Sequence, residues 1–281
     1  MRDIKVANGR ATGVTLDDGS VIEGKKFVAS AIDFPTTLQM AGESLFPEPV
    51  QQKAKDWHWG NHSLVTLHLA LKNPPRYKGE DFDPAAKKAF NIFFGMENID
   101  EVESCFKDCA EKRFPKVLMG NGATNSAFDP SYAPQGKHTA FWWPFAPYAV
   151  EGDKDNWEND RKGYTEKILD YWRAYTTNLD ADNILGSYLF TPKDVEALNA
   201  NMKNGAVRMG AYVPNQLGIN RPHPLMPGSR TPVEGLYLCG SSSGNGGGAN
   251  GAAGYIAANA IADDLKLRKT WTPVVAPEWK H

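Results

Sequence analysis

The chain has 281 residues, with 31 Lys and Arg against 33 Asp and Glu, and this near-neutral balance with no basic stripe excludes nucleic acid as a partner. Hydrophobic residues make up 41 %, with 8 Trp, 13 Phe and 10 Tyr, enough for the core of one large or two modest domains. Three cysteines are too few for a disulfide scaffold or a four-thiolate metal centre and fit a reducing compartment, so no metal site is predicted.

Residues 4–6 predict a short strand, and Asn8-Gly9 is a turn signal. Residues 11–16 alternate apolar and polar, Asp17-Asp18-Gly19 turns the chain, and residues 20–22 return. The run 26–32 is almost entirely apolar, which predicts a strand buried on both faces as in a parallel sheet. A short helix is expected over 35–45, with Pro35 near its first turn. Strands are predicted at 63–71, 90–96, 116–119 and 138–143. The long loops between them carry Pro and Gly, the pattern of an antiparallel sheet. Two helices follow: residues 157–175, and one opening at Thr191-Pro192-Lys193-Asp194, where a capping Thr precedes Pro and an acid in the first turn. Residues 205–234 hold prolines at 214, 222, 224, 227 and 232 and read as loop.

Near the C-terminus a short apolar strand, 236–239, enters a loop running from Gly240 to Gly254 with almost no side chains, and an Ala-rich helix leaves it. Glycine lets a ligand approach the backbone, and a helix start offers unpaired N–H groups and a positive dipole end, so the segment suits a flat, anionic nucleotide cofactor. Gly246 to Gly251 match G-x-G-x-x-G, but no second strand with an acid at its end follows. This loop is therefore not the ribose-reading element of a dinucleotide fold. Dense aromatic clusters at Phe141-Trp142-Trp143-Pro144-Phe145 and Trp57-His58-Trp59 serve either as core or as walls of a hydrophobic channel.

The segment from Arg230 to Ser241, then Gly246-Gly247-Gly248 and Gly251-Ala252-Ala253-Gly254, resembles the C-terminal signature of the phytoene-desaturase-like FAD oxidoreductases. That group includes carotenoid desaturases and isomerases, retinol saturase-like proteins and the pyridine-nucleotide-disulfide-oxidoreductase-domain-2 type. Residues 8–20 with 28–33, Thr191 to Glu196, and Asn220-Arg221-Pro222-His223-Pro224 resemble further landmarks of the group, in the right order. The resemblance implies an α/β protein with an α+β substrate domain. A partial FAD-binding Rossmann-type domain over 1–50 and 228–281 would be completed by another chain, and an antiparallel β-rich substrate domain over 51–227 would be inserted into it. It implies FAD as cofactor, approached by Ser30, Ala31, Gly240, Ser241, Gly247, Gly248, Asn250, Gly251 and Ala252. Trp142, Tyr212 and His223 are the candidate substrate contacts; no catalytic acid or base is assigned.

Members of the group begin with a strand, a G-x-G-x-x-G loop and a helix for the adenine end of FAD; the resemblance starts inside the group's flavin domain, which implies either a fragment or a split protein. The expected partner is a second polypeptide carrying that N-terminal half. At the positions where the group commonly has His-Pro ahead of its three glycines, this chain has Gly244-Asn245. The expected activity is dehydrogenation of a hydrophobic, isoprenoid or alicyclic small molecule by hydride transfer to FAD. The alternatives are a flavin-dependent isomerase or hydratase, or a non-catalytic subunit. No apolar run approaches the ~18 residues of a membrane span. The N-terminus lacks an apolar signal region. A cytoplasmic protein is expected, with peripheral membrane contact left open by the hydrophobic substrate.

Overall fold

The computed structural model describes residues 1–244 and 251–272. In chain order the elements begin with β1 (Asp3–Ala7), β2 (Arg10–Thr15), β3 (Val21–Glu23), β4 (Val28–Ser30), α1 (Phe34–Ala41) and α2 (Glu48–Lys55). They continue with β5 (Ser63–Leu64), β6 (Thr66–Leu71), β7 (Asn91–Phe94), α3 (Ile99–Ala110), β8 (Gly120–Ala123), β9 (His138–Ala146), α4 (Asn156–Asn159) and α5 (Arg161–Arg173). The last are β10 (Ile184–Phe190), α6 (Pro192–Leu198), β11 (Leu236–Leu238) and α7 (Ala252–Asp264). The chain forms two units, Met1–Trp59 with Arg208–His281, and Gly60–Val207. Residues 51–59 and 208–227 thus pack with the first unit, because Trp57 sits in its core and donates to the Met209 carbonyl at 3.2 Å.

In the first unit, β1, β2 and β3 form an antiparallel meander, turned at Asn8 and Gly9, whose φ values are 51° and 76°. β4 and β11 form a two-stranded parallel sheet, with Val28 beside Leu236 and Ser30 beside Leu238. All three residues of β11 are buried, but β4 is not buried on both faces as its sequence predicts: Phe27 is 37 % exposed, and Ala29 and Ala31 are exposed. The reason is that among the described residues β4 pairs only with β11. Asp33 caps α1, its carboxylate accepting from Thr36 N at 2.9 Å, and Phe34 and Leu38 face the core with Val50 of α2.

In the second unit the strand order is β10-β6-β9-β8-β7, antiparallel throughout, with β5 on β9. Leu67, Leu69 and Leu71 of β6 and Ala140 and Trp142 of β9 point to one face, where they pack with Ile168, Leu169 and Trp172 of α5. The predicted strand at 116–119 is irregular; the pairing falls instead on Gly120–Ala123. There the ladder is tight: a Cβ on Gly120 would lie 2.0 Å from the Trp143 carbonyl. Glycine at that position permits an approach that the β-formers at 117–119 would block. The predicted helix over 157–175 is broken at Asp160, whose backbone (φ −136°, ψ 39°) leaves the helical region before its side chain caps α5 at Gly163 N. α6 opens as its sequence predicts, with a reciprocal capping box between Thr191 and Asp194. Among the described residues no helix is long and apolar enough to cross a membrane.

Candidate functional site

In the first unit, β4 ends at Ser30 and β11 is followed by Cys239 and Gly240, which puts small residues at the carboxyl ends of both parallel strands, the position where open α/β sheets bind ligands. Ser30 is 4 % exposed; its hydroxyl meets Thr37 Oγ1 at 2.7 Å, so this side chain holds the strand-to-helix turn. The Ala31 side of the turn is exposed. Gly240 leaves β11 against it, so close that a Cβ would lie 2.6 Å from the Ala31 carbonyl oxygen. Ser241 is half-buried, and the turn closes with Ser243 N and Oγ donating to the Gly240 carbonyl at 3.1 and 2.8 Å. Gly251, at φ 68° and ψ 5°, sets the start of α7, and Ala252 is its first residue. Gly247, Gly248 and Asn250 lie outside the described residues. Asp33 is fully buried, and among the described residues its Oδ2 has no hydrogen-bond partner. Small residues past the strand ends and an exposed turn leave backbone open to a group rich in hydroxyls and phosphates. Cys239, just before the turn, is a half-buried thiol whose pKa burial pushes up.

α7 is tied to β11 by one polar cluster. Arg230 Nε and NH2 donate to both Asp264 carboxylate oxygens at 2.8 to 3.1 Å, and the Tyr237 hydroxyl donates to Oδ2 at 3.0 Å. These hydrogen bonds, Arg230 first, hold the Asp264 carboxyl below the usual carboxylate range. A depressed carboxylate stabilises the fold above its unfolded pKa, and that contribution is lost as pH falls through the folded value. Both partners are partly exposed, so after allowance for solvent screening the pair contributes about 0.5–1 kcal/mol. Urea titrations are expected to show Asp264→Asn less stable than the parent by that amount at pH 7. The gap should close as pH is lowered from about 4 towards 2.

Arg221 is the residue that sequence reasoning missed. Only 1 % exposed, it directs all its donors at backbone carbonyls: Nε at Ser241 (2.9 Å), NH1 at Ala211 and Gln216 (3.2 Å each), NH2 at Arg208 (2.8 Å) and Gly210 (3.5 Å). Its guanidinium lies 5.3 Å from the Trp57 ring and 5.2 Å from the Tyr212 ring, and Arg208 covers Tyr212 at 4.8 Å. Burial pulls the Arg221 pKa down to about 10, which leaves it charged at neutral pH. Tyr212 is thus set between two guanidinium groups. His223 accepts from Leu225 N through Nδ1 at 3.1 Å; burial first, then Lys53, lowers its pKa. The visible signal was Asn220-Arg221-Pro222-His223-Pro224, but nothing in it marks the arginine as buried.

The second unit carries a groove of about 630 Å³ on the sheet face opposite α5. Register builds it. Tyr188, His68 and Phe141 align across β10, β6 and β9 as one row, and Gly186, Ala70 and Thr139 form the next. The row of large rings is a wall and the row of small residues a floor. Trp143, two residues on from Phe141, lies 5.0 Å from it ring to ring and also lines the groove. Trp142, the candidate substrate contact, points the other way: it is fully buried and stacks on Phe94 at 4.2 Å. Alternation along the strand gives the groove to its two neighbours.

No family model matches the sequence. A limonene dehydrogenase subunit of Castellaniella defragrans is 32 % identical over 289 residues, covering 97 % of this chain and 51 % of that protein. Pyridine nucleotide-disulfide oxidoreductase domain-containing protein 2 of Mus musculus is 29 % identical, covering 92 % of this chain and 45 % of that one. The chain is a homologue of oxidoreductases. It spans about half the length of the curated relatives it matches. Among solved structures, an oxidoreductase from Methanosarcina mazei superposes with a TM-score of 0.50 at 15 % identity, over 93 % of this chain and 48 % of that one, and shares the fold.

Proposed function

We propose that this chain is one subunit of an FAD-dependent oxidoreductase that dehydrogenates an apolar, alicyclic or isoprenoid molecule. The observation that carries the reading is the 32 % identity with the limonene dehydrogenase subunit across 97 % of the chain. The exposed turn and small residues at the ends of β4 and β11 are consistent with it. Ala31, Gly240 and Ser241 offer backbone to FAD there, Ser30 holds the turn, and Gly251 and Ala252 present the start of α7; Gly247, Gly248 and Asn250 complete the set. When bound, FAD would accept the hydride and its two electrons, while the second C–H bond broken as the C=C bond forms releases a proton to a base or to water. Arg221 fixes the Ser241 carbonyl and the Tyr212 ring in one arrangement, and Tyr212 and His223 stand as substrate contacts in this unit. In the other unit Phe141 and Trp143 supply an apolar groove in place of Trp142.

A second polypeptide completes the flavin domain. A parallel pair three residues long is smaller than the sheets that stand alone, and β4 leaves one edge without a partner among the described residues. The test is to isolate the native complex containing this chain, record its flavin absorbance and add an alicyclic hydrocarbon without oxygen. The reading expects a flavin band and a second subunit, with the band bleaching on substrate addition. A colourless complex, or turnover only after prior reduction of the flavin, overturns it.

A further inference from the structure

We propose that a cavity at the β7 edge of the second unit's sheet binds an apolar monoanion, a hydrocarbon tail headed by a carboxylate, with Lys78 meeting the head. The cavity measures about 410 Å³ and shares no lining residue with the groove on the open face. That volume lies within the ~300–1,000 Å³ of small-molecule sites. Its apolar walls come from three places: Ile92 and Phe93 of β7, Ala86 of the turn at Pro84–Lys88, and Ala174 just past α5. Phe93 is 64 % exposed, so a tail seated against it removes hydrocarbon surface from water.

Most polar groups of the lining are already engaged within the protein. The Tyr77 hydroxyl accepts from Trp172 Nε1 at 3.3 Å, Tyr77 N donates to Glu80 Oε1 at 2.8 Å, and Lys78 N donates to the Tyr175 carbonyl at 2.9 Å. The Tyr175 hydroxyl is hydrogen-bonded to Tyr171. What remains is the Asn91 amide, which is neutral, and Lys78, the only charged residue of the lining. The acids of the same segment are held elsewhere: Glu80 on Tyr77 N, Asp81 in an ion pair with Arg76 at 2.7 Å, and Asp83 on Ala85 N at 2.8 Å. Lys78 forms no ion pair among the described residues. Lysine lays its stem on apolar surface and keeps its ammonium in water, and Lys78 is exposed, so its charge belongs to the mouth of the cavity. An anionic head at that mouth gains a partner while the tail fills the space behind it; a cationic head meets a like charge. The tail carries most of the affinity and the head sets the sign, because an exposed ion pair is weak.

The experiment titrates the full chain with butanoate, hexanoate, octanoate, decanoate and decylammonium in a calorimeter. Affinity is expected to rise by up to roughly fourfold per methylene along the acids until the cavity is full. Decanoate is expected to bind about fivefold more tightly than decylammonium. Lys78→Glu is expected to reverse that order. Ala86→Trp, which fills the cavity, should weaken decanoate more than tenfold, whereas Trp143→Ala in the groove should leave it unchanged. Affinity that does not grow with chain length overturns the cavity as the seat of the tail. Equal binding of the two decyl ions by the unaltered chain overturns the role of Lys78, and undiminished decanoate binding in Ala86→Trp places the acid elsewhere; either result sinks the proposal. So does a dimer in sedimentation that takes up no acid, which would assign this face to a second copy of the chain. The series on the unaltered chain decides the matter even where a variant fails to fold.

Discussion

Arg221→Ala is expected to lower the melting temperature by roughly 10 °C, about 4 kcal/mol for a chain of this size. The residues it serves, 208 to 216 and 241, have almost no regular structure, so their carbonyls lack the ladder partners a helix or sheet would give. One buried guanidinium replaces that ladder by donating to five carbonyls. Gln216 adds a second hub, donating to His58 O at 2.9 Å and Ala211 O at 3.1 Å. Truncating the arginine leaves several acceptors unpaired, each costing about 1–3 kcal/mol before water or relaxation recovers part of it. It also removes the plate between the Trp57 and Tyr212 rings. Arg221→Lys keeps the charge but has three donors on one nitrogen, which cannot span carbonyls spread along two loops, so most of the loss should remain. Scanning calorimetry checks both variants. A melting point within about 2 °C of the parent for Arg221→Ala would show that the loops hold themselves.

The contrast between what the sequence made legible and what it hid follows from the range of the forces involved. The first hairpin was readable because Asn8-Gly9 is a local solution to a local problem, and the same holds for the Thr191-Pro192-Asp194 helix start. α3 was not anticipated, although its start is also local: Asn98 caps it by accepting from Glu101 N at 3.0 Å. β8 was hidden because its pairing depends on what glycine leaves out rather than on β-propensity, and the neighbouring Leu118 and Met119 offered a more conventional pattern. The apolar run 26–32 suggested two buried faces, yet burial depends on neighbours that the run does not encode. At the site, the glycine turn and the Ser30-Ala31 strand end were legible as small residues beside a strand. That they meet, with Cys239 N donating to Ser30 O at 2.8 Å, required the two ends of the chain to be brought together. Strand alternation says that Trp142 and its neighbours Phe141 and Trp143 face opposite ways; only α5, packed on one side, decides which way is the core. Arginine is rarely buried, so Arg221 was invisible until its carbonyl partners were in place.

Gly240→Ala is expected to cut flavin content in the purified complex more than tenfold while the second unit keeps its aromatic near-ultraviolet dichroism. The added Cβ would lie 2.6 Å from the Ala31 carbonyl oxygen, 3.0 Å from its carbon and 3.2 Å from its Cα. All three are backbone atoms, so no side-chain rotation relieves the overlap. The strand ends must part by several tenths of an ångström, which strains the Cys239-to-Ser30 hydrogen bond and tilts both turns proposed to carry FAD. Displacements of about 1 Å at such a site cost about a hundredfold where geometry matters. Gly79→Ala is the control, because a Cβ there meets nothing within 4 Å. Gly240 has no side chain with which to bind anything, so its effect on flavin can come only through the position of the strand ends. Undiminished flavin with an unchanged absorbance spectrum in Gly240→Ala would therefore place the cofactor elsewhere and remove the structural support for the flavoenzyme reading, leaving the sequence likeness alone to carry it.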